Sequence, residues 1–214
     1  PGDTWEGDSW MTGGGPVWGT PPVDTNLGLV YVTTGNASPD LNGSQRAGQN
    51  LYTASLVALD VQTGQVKWFF QEVHHDIWDY DGPQPPVLYN VVKDGQTILA
   101  IGHANKNSEY FILDRRDGTP IYPVTEQPVD TDPTWQNPWP TQPRSSVERL
   151  IPDTVQGKPL DPNLPTASLF TVPEPKAQVM QPGADGGSEW PPTAFSPRTN
   201  YVYMQAQYLP HWYQ

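Results

Sequence analysis

Two histidines and three aspartates fall within the twelve positions Gln71–Gly82 (Gln-Glu-Val-His-His-Asp-Ile-Trp-Asp-Tyr-Asp-Gly), with Trp78 and Tyr80 interleaved. Carboxylates this crowded repel one another and resist burial, so such a stretch is solvated, paired or metal-bound. Three other places could join it. Gly13-Gly14-Gly15-Pro16-Val17-Trp18 ends a glycine run on a flat indole, where backbone and ring can both approach a ligand. Asn36 follows a strand-like run and offers an amide oxygen, and Lys106 stands just before another. Each has a plain structural alternative: a tight turn over a core tryptophan, a turn asparagine, a solvated lysine. Together Asn36, Asp79 and Asp81 form an oxygen-only donor set, which suits Ca²⁺, Mg²⁺ or a larger trivalent cation rather than zinc or copper. Asp79 and Asp81 also fit a second chemistry. Two residues apart on an extended strand they share a face, roughly 7 Å apart at the backbone, as the paired carboxylates of a glycosidase could be. His74 and His75 are adjacent and lack the i, i+4 spacing of a helical zinc site.

Composition removes several classes of function. Cysteine is absent, so no disulfide, zinc thiolate, iron–sulfur cluster or thiol nucleophile resides in this stretch. The formal net charge of −12 disfavours nucleic acid and anionic lipid, and favours a cation or a basic partner. No glycine-rich dinucleotide motif, P-loop or nucleophile elbow is present, and no apolar run has the length of a membrane-spanning helix. The chain begins at Pro1-Gly2-Asp3 and stops at Trp212-Tyr213-Gln214, which predicts a piece of a longer polypeptide.

The elements that must position these residues are short strands. Runs at 29–34, 54–59, 66–70, 89–92, 97–101, 110–113 and 201–205 are β-branched or aromatic and end at turn residues. Lys93-Asp94-Gly95 marks a hairpin, because Asp-Gly tolerates positive φ. A unit repeats: Asp24…Gly28, Asp60…Gly64, Asp114…Gly118 and Ser196…Asn200 each close a turn before a strand. Asp or Ser accepts bonds from turn amides while Gly or Asn takes the left-handed position. With no helical period between them, these units predict an all-β chain of antiparallel four-stranded blades, part of a β-propeller with long loop insertions. The segment 123–192 is rich in Pro, Asp, Thr and Gln. It reads as a long excursion with one strand candidate, Ser168–Val172, and with Trp135, Trp139 and Trp190 as anchors.

In family order, the motifs Asp8-Ser-Trp-Met-Thr-Gly-Gly-Gly-Pro-Val-Trp18, Thr34-Gly-Asn36, Ala58-Leu-Asp-Val-Gln-Thr-Gly-Gln-Val-Lys-Trp68, His75-Asp-Ile-Trp-Asp-Tyr-Asp-Gly82, Lys106 with Leu113–Gly118, and Gly186-Gly-Ser-Glu-Trp190 resemble the pyrroloquinoline quinone (PQQ)-dependent dehydrogenases. These are eight-bladed quinoprotein propellers. The resemblance implies that Trp68 docks between adjacent blades and that Trp18 is the floor for the quinone. It implies Asn36, Asp79 and Asp81 as metal ligands, Asp79 as catalytic base, and Lys106 as hydrogen-bond donor to the quinone oxygens where many members carry arginine. Asp81 matches the extra carboxylate of lanthanide-using members, though sugar-type members also carry an acid there. Pro16 and Glu189 depart from the family pattern, and His74-His75-Asp76 resembles the membrane-bound glucose/quinate-type branch.

The implied function is oxidation of an alcohol or sugar hydroxyl by hydride transfer to PQQ. Ca²⁺, Mg²⁺ or a lanthanide would assist, and Asp79 would stay ionised beside that cation. A quinone or cytochrome would accept the electrons, in the periplasm or facing it, with the remainder of the propeller as structural partner. The alternative is a non-enzymatic propeller scaffold, which needs the turn repeat and Trp68 but not Asn36, Asp79 and Lys106.

Overall fold

A computed structural model describes residues 2–131, 135–158 and 161–213. Its elements are strands, apart from two short 3-10 turns at Gly2–Thr4 and Ser9–Met11. Strands β1 (Val23–Asp24), β2 (Leu29–Thr33), β3 (Ser55–Asp60) and β4 (Val66–Gln71) form a four-stranded antiparallel sheet in that order. Strands β5 (Val87–Lys93), β6 (Gln96–Ala104) and β7 (Tyr110–Asp114) form a second, three-stranded one. The predicted hairpin joins β5 to β6: Lys93 pairs with Gln96, and Asp94 and Gly95 both take positive φ.

The second sheet has no full fourth strand. Thr119–Tyr122 returns alongside β7 as an edge through a single bridge, Leu113 with Pro120, flanked by two bonds: the Ile121 amide donates to the Ile112 carbonyl and the Asp114 amide to the Thr119 carbonyl.

The turn repeat is built as its chemistry requires. Asp24 Oδ1 accepts from the amides of Asn26 and Leu27, Asp60 Oδ1 from Gln62 and Thr63, and Asp114 Oδ1 from Arg116. Gly28, Gly64, Gly118 and Asn200 all have φ between +58° and +78°. The third of these turns receives Trp68. Its indole N–H donates to the Arg115 carbonyl at 3.2 Å, and a Cβ on Gly118 would stand 2.7 Å from its ring. Trp68 thus packs the first sheet onto the second, in one core with Tyr31, Leu56, Ile101 and Phe111.

The excursion 123–192 holds more strand than expected. Strands β8 (Val124–Pro128) and β9 (Thr141–Ser145) pair antiparallel, and β10 (Thr166–Ala167) lies parallel to β11 (Gln178–Met180). Ser168–Val172 is not a strand. Phe170 has φ +63°, and Leu169, Phe170 and Val172 turn inward to build a core with Trp78, Tyr80 and Met180. Hydrophobicity in that run marks burial rather than strand pairing. The predicted anchors divide. Trp135 donates to the Pro173 carbonyl and Trp139 lies edge-on to His74, whereas Trp190 is half exposed. Strands β12 (Ala194–Ser196) and β13 (Tyr201–Tyr203) begin a further sheet, and β14 (His211–Tyr213) completes that of β11. Among the described residues no helix is long and apolar enough to cross a membrane.

Candidate active site

The segment after β4 is irregular, and its side chains segregate by chemistry. Trp78 and Tyr80 are fully buried, stacked at 6.1 Å, and tied to the carbonyls of Thr171 and Pro182. The alternate residues, Asp79 and Asp81, reach the ammonium of Lys106, each with an oxygen 3.0 Å from Nζ. Asp79 does so at φ +64°, so the two carboxylates meet one cation through a turn and not along the extended strand that a paired-carboxylate glycosidase arrangement assumed.

Lys106 is positioned from both sides. It opens the turn Asn105–Ser108 between β6 and β7, where the Ser108 amide donates to the Asn105 carbonyl. The Gly186-Gly187 pair packs against it. Gly187 N donates to the Lys106 carbonyl at 2.7 Å, and a Cβ on Gly186 would stand 2.5 Å from that of Lys106. This close approach brings Glu189 to 3.6 Å from Nζ and Trp190 to the same rim.

Trp18 and Asn36 come together through a short antiparallel contact, Gly14 with Ala37 and Val17 with Thr34. The absent side chain of Gly35 leaves room for the indole, since a Cβ there would meet Trp18 Nε1 at 2.7 Å. Trp18 stays half exposed and packs edge-on against Trp190, with centroids 5.6 Å apart and planes at 81°. Asn36 Nδ2 donates to Asp40 Oδ1 and to the Ala37 carbonyl. That leaves Oδ1 as the amide atom available to a cation.

Burial and neighbouring charge set the electrostatics at Asp79. Burial pushes its carboxyl up to about 8; Lys106 pulls it down, while Asp40, Asp76 and Asp81 push it further up. The Lys106 ammonium alone does not offset burial and three like charges. Burial alone would lower Lys106, but Asp81 and Asp79 override it and raise the ammonium. Burial likewise raises Glu189 and Asp40, and lifts Asp76 to about 6.

These residues can be tested against a hard cation. Among the described residues no three His, Asp or Glu side chains form a ready-made metal group; Lys106 is instead the common neighbour of Asp79, Asp81 and Glu189. Yet Glu189 Oε2 is buried with no hydrogen-bond partner, and Asp81 Oδ1, also buried, has the Lys106 ammonium 3.0 Å away without an aligned hydrogen bond. A buried carboxylate oxygen in the condition of Glu189 Oε2 is costly unless something positive meets it. With Asp79 and the Asn36 amide oxygen, Asp81 and Glu189 make a hard, anionic donor set that fits Ca²⁺, Mg²⁺ or a lanthanide. The exposed face of Trp18 fits a planar ligand.

Two contributors went unread in the sequence. Asp40 lies in a turn that reads as a loop, and its link to Asn36 is visible only in three dimensions. Arg46 gives no motif at all, yet it is among the largest fully buried side chains. His74 and His75 serve the frame: His74 meets Gln71 and Glu126, and His75 meets the carbonyls of Gly48 and Gln136.

Comparison with known proteins bears on this geometry. A family model described as PQQ glucose/ethanol/alcohol dehydrogenase, beta-propeller domain, matches residues 1–214. A putative dehydrogenase XoxF of Paracoccus denitrificans is 33% identical over 217 residues, covering 97% of this chain and 32% of that protein. A quinohemoprotein alcohol dehydrogenase of Comamonas testosteroni is 36% identical over 212 residues, covering 97% and 27% respectively. Its crystal structure superposes with a TM-score of 0.72 at 32% identity, over 97% of this chain and 28% of that one. A europium-containing methanol dehydrogenase gives the same TM-score at 26% identity, over 96% and 33%. The chain therefore spans about a third or less of the length of these relatives, and its sheets are blades of part of a β-propeller. It belongs to the PQQ-dependent glucose/ethanol/alcohol dehydrogenase family.

Proposed function

We propose that a polypeptide carrying this chain oxidises an alcohol or a sugar hydroxyl, with Asp79 taking the hydroxyl proton as hydride leaves the substrate carbon. The observation that carries this reading is the convergence of Asp79, Asp81 and Glu189 on Lys106 beside the open face of Trp18. When bound, PQQ supplies the two-electron acceptor and the cation supplies Lewis acidity.

The chain's own residues do the rest. Trp18 offers a flat apolar surface whose edge contact with Trp190 keeps the indole from collapsing onto its neighbours. Asn36 Oδ1, Asp79 and Asp81 would hold the cation. Lys106 donates to Asp79 Oδ2 and keeps a positive charge beside the base; it is also the donor suited to oxygens that gain negative charge on reduction. Asp79 acts as base once ionised, and a cation on Asp79 and Asp81 favours that form. Fully buried Trp78 and Tyr80 hold the backbone on either side of Asp79, so its carboxylate is fixed without being sealed from substrate.

The acceptor of the electrons is read as a quinone or cytochrome, and the location as periplasmic or periplasm-facing, both from the family resemblance. The test is dye reduction with alcohols and sugars in the presence of PQQ and Ca²⁺ or a lanthanide. Reduction that requires both additions supports the reading. Glycosidic hydrolysis, or no reaction with any alcohol or sugar, contradicts it.

A further inference from the structure

Arg46 has a role that the site residues alone do not explain. Its side chain is completely buried, and among the described residues no carboxylate forms an ion pair with it. Its donors are spent on neutral oxygens. Nε donates to the Pro39 carbonyl at 3.2 Å and Nη1 to Asn50 Oδ1 at 2.7 Å. Nη2 spans two separate segments, reaching the carbonyls of Pro39 at 3.1 Å, Asp40 at 3.2 Å and Asp76 at 2.6 Å. Burying a guanidinium without an ion pair is costly, and what this one secures is backbone shape.

The two segments it joins carry the two halves of the donor set. On one side the Asp40 side chain accepts from the Asn36 amide and so fixes which amide atom remains free. On the other, Asp76 Oδ1 accepts from the Trp78 amide at 2.9 Å and so shapes the turn into Asp79. A planar fork can hold carbonyls on both segments at once, whereas a lysine ammonium on a flexible stem cannot hold that fan.

We propose that Arg46 is a positioning residue that fixes the separation of Asn36 from Asp79 and Asp81, and thereby the affinity of the cation site. This inference rests on the functional reading above. The test compares wild type with R46K, which keeps the charge and loses the fork, in the longest polypeptide that carries this chain. Two readouts are taken, and neither is turnover: Tb³⁺ affinity from sensitised emission of the protein without PQQ, and amide hydrogen exchange.

The expected result for R46K is Tb³⁺ binding weakened at least tenfold. Protection should fall together at the Ser38 and Gly43 amides, which flank the first segment, and at the Trp78 amide in the second, and stay unchanged in β5–β7. If R46K does not fold, N50S, which removes the acceptor at Nη1 and the Nδ2 donor to the Arg46 carbonyl, takes its place, with an expected weakening of about threefold for the lost anchor. Wild-type affinity in the variant, or loss of protection in only one of the two segments, overturns the role of Arg46 and leaves the functional reading standing. A wild type that binds no Tb³⁺ overturns the cation reading and the role of Arg46 with it.

Discussion

At the scale of single residues, Asp79 and Lys106 carry the proposed chemistry. Asp79→Ala removes the proposed base while leaving Trp18 and Lys106, so kcat should fall roughly 10²–10⁴-fold with PQQ still bound; steady-state kinetics beside a PQQ-binding titration checks both. Because burial holds the Asp79 carboxyl up near about 8, the cation-free protein should titrate there. Adding Ca²⁺ should move that midpoint down, since a nearby positive charge favours the ionised form. Infrared or NMR titration of the carboxyl reads this directly. Lys106 competes with any cation for the same carboxylates. Lys106→Gln should therefore bind Ca²⁺ more tightly by calorimetry and yet turn over more slowly; weaker Ca²⁺ binding would mean that Lys106 supports the site in some other way. Much of this scale was legible beforehand. Oxygen donors without cysteine point to a hard cation, and the alternation Trp78-Asp79-Tyr80-Asp81 already separates apolar from acidic side chains. The elevated Asp79 was not legible, because it arises from burial and from Asp40 and Asp76, whose proximity no spacing encodes.

At the scale of elements, the repeated turns give the sharpest energetic contrast. Gly64 and Gly118 have similar positive φ, but a Cβ on Gly64 meets nothing within 4 Å, while one on Gly118 strikes Trp68. Gly64→Ala should cost about 1–2 kcal/mol for the left-handed backbone alone. Gly118→Ala should cost a further 1–3 kcal/mol or so for overpacking. Equal losses in urea unfolding would mean that Trp68 does not dock on that turn. Asp24 ties its own turn to the next sheet through Arg115 Nε at 2.7 Å. Burial works upward on its carboxyl, but the Leu27 and Asn26 amides and Arg115 outweigh it and hold it below the ordinary carboxylate range. A depressed carboxyl contributes stability that is present above its unfolded value near about 3.9 and is lost as pH falls through the folded value. Asp24→Asn should thus be less stable than wild type by about 2 kcal/mol at neutral pH, with the gap closing below about pH 4. The turns and the strands β2 to β7 were readable because Asp, Gly and β-branched residues enforce them locally. The hairpin β8–β9 was not, since Thr141-Gln-Pro-Arg-Ser145 has no apolar alternation and is a strand only through its partner. Ser168–Val172 misled for the converse reason: its apolar residues serve a core and not a ladder.

At the scale of the whole molecule, five of the 23 acids and two of the 11 bases gather at one place. Asp40, Asp76, Asp79, Asp81 and Glu189 lie close enough to influence one another, against Lys106 and Arg46. Two sheets, the loop after β4 and the glycine pair at 186–187 each deliver one part of this cluster, so the site exists only when the blades are assembled. Propeller architecture was legible from the turn repeat and Trp68; the strand count of the second sheet was not, because the run after Gly118 pairs with β7 through only one bridge. The most direct test of the central claim is dye reduction by a polypeptide carrying this chain, measured with PQQ and Ca²⁺ or a lanthanide added singly and together, in wild type and Asp79→Ala. Reduction with an alcohol or sugar is expected only when both are present, and its loss is expected in the variant. Reduction that needs neither addition, or that persists in Asp79→Ala at the wild-type rate, would contradict that claim.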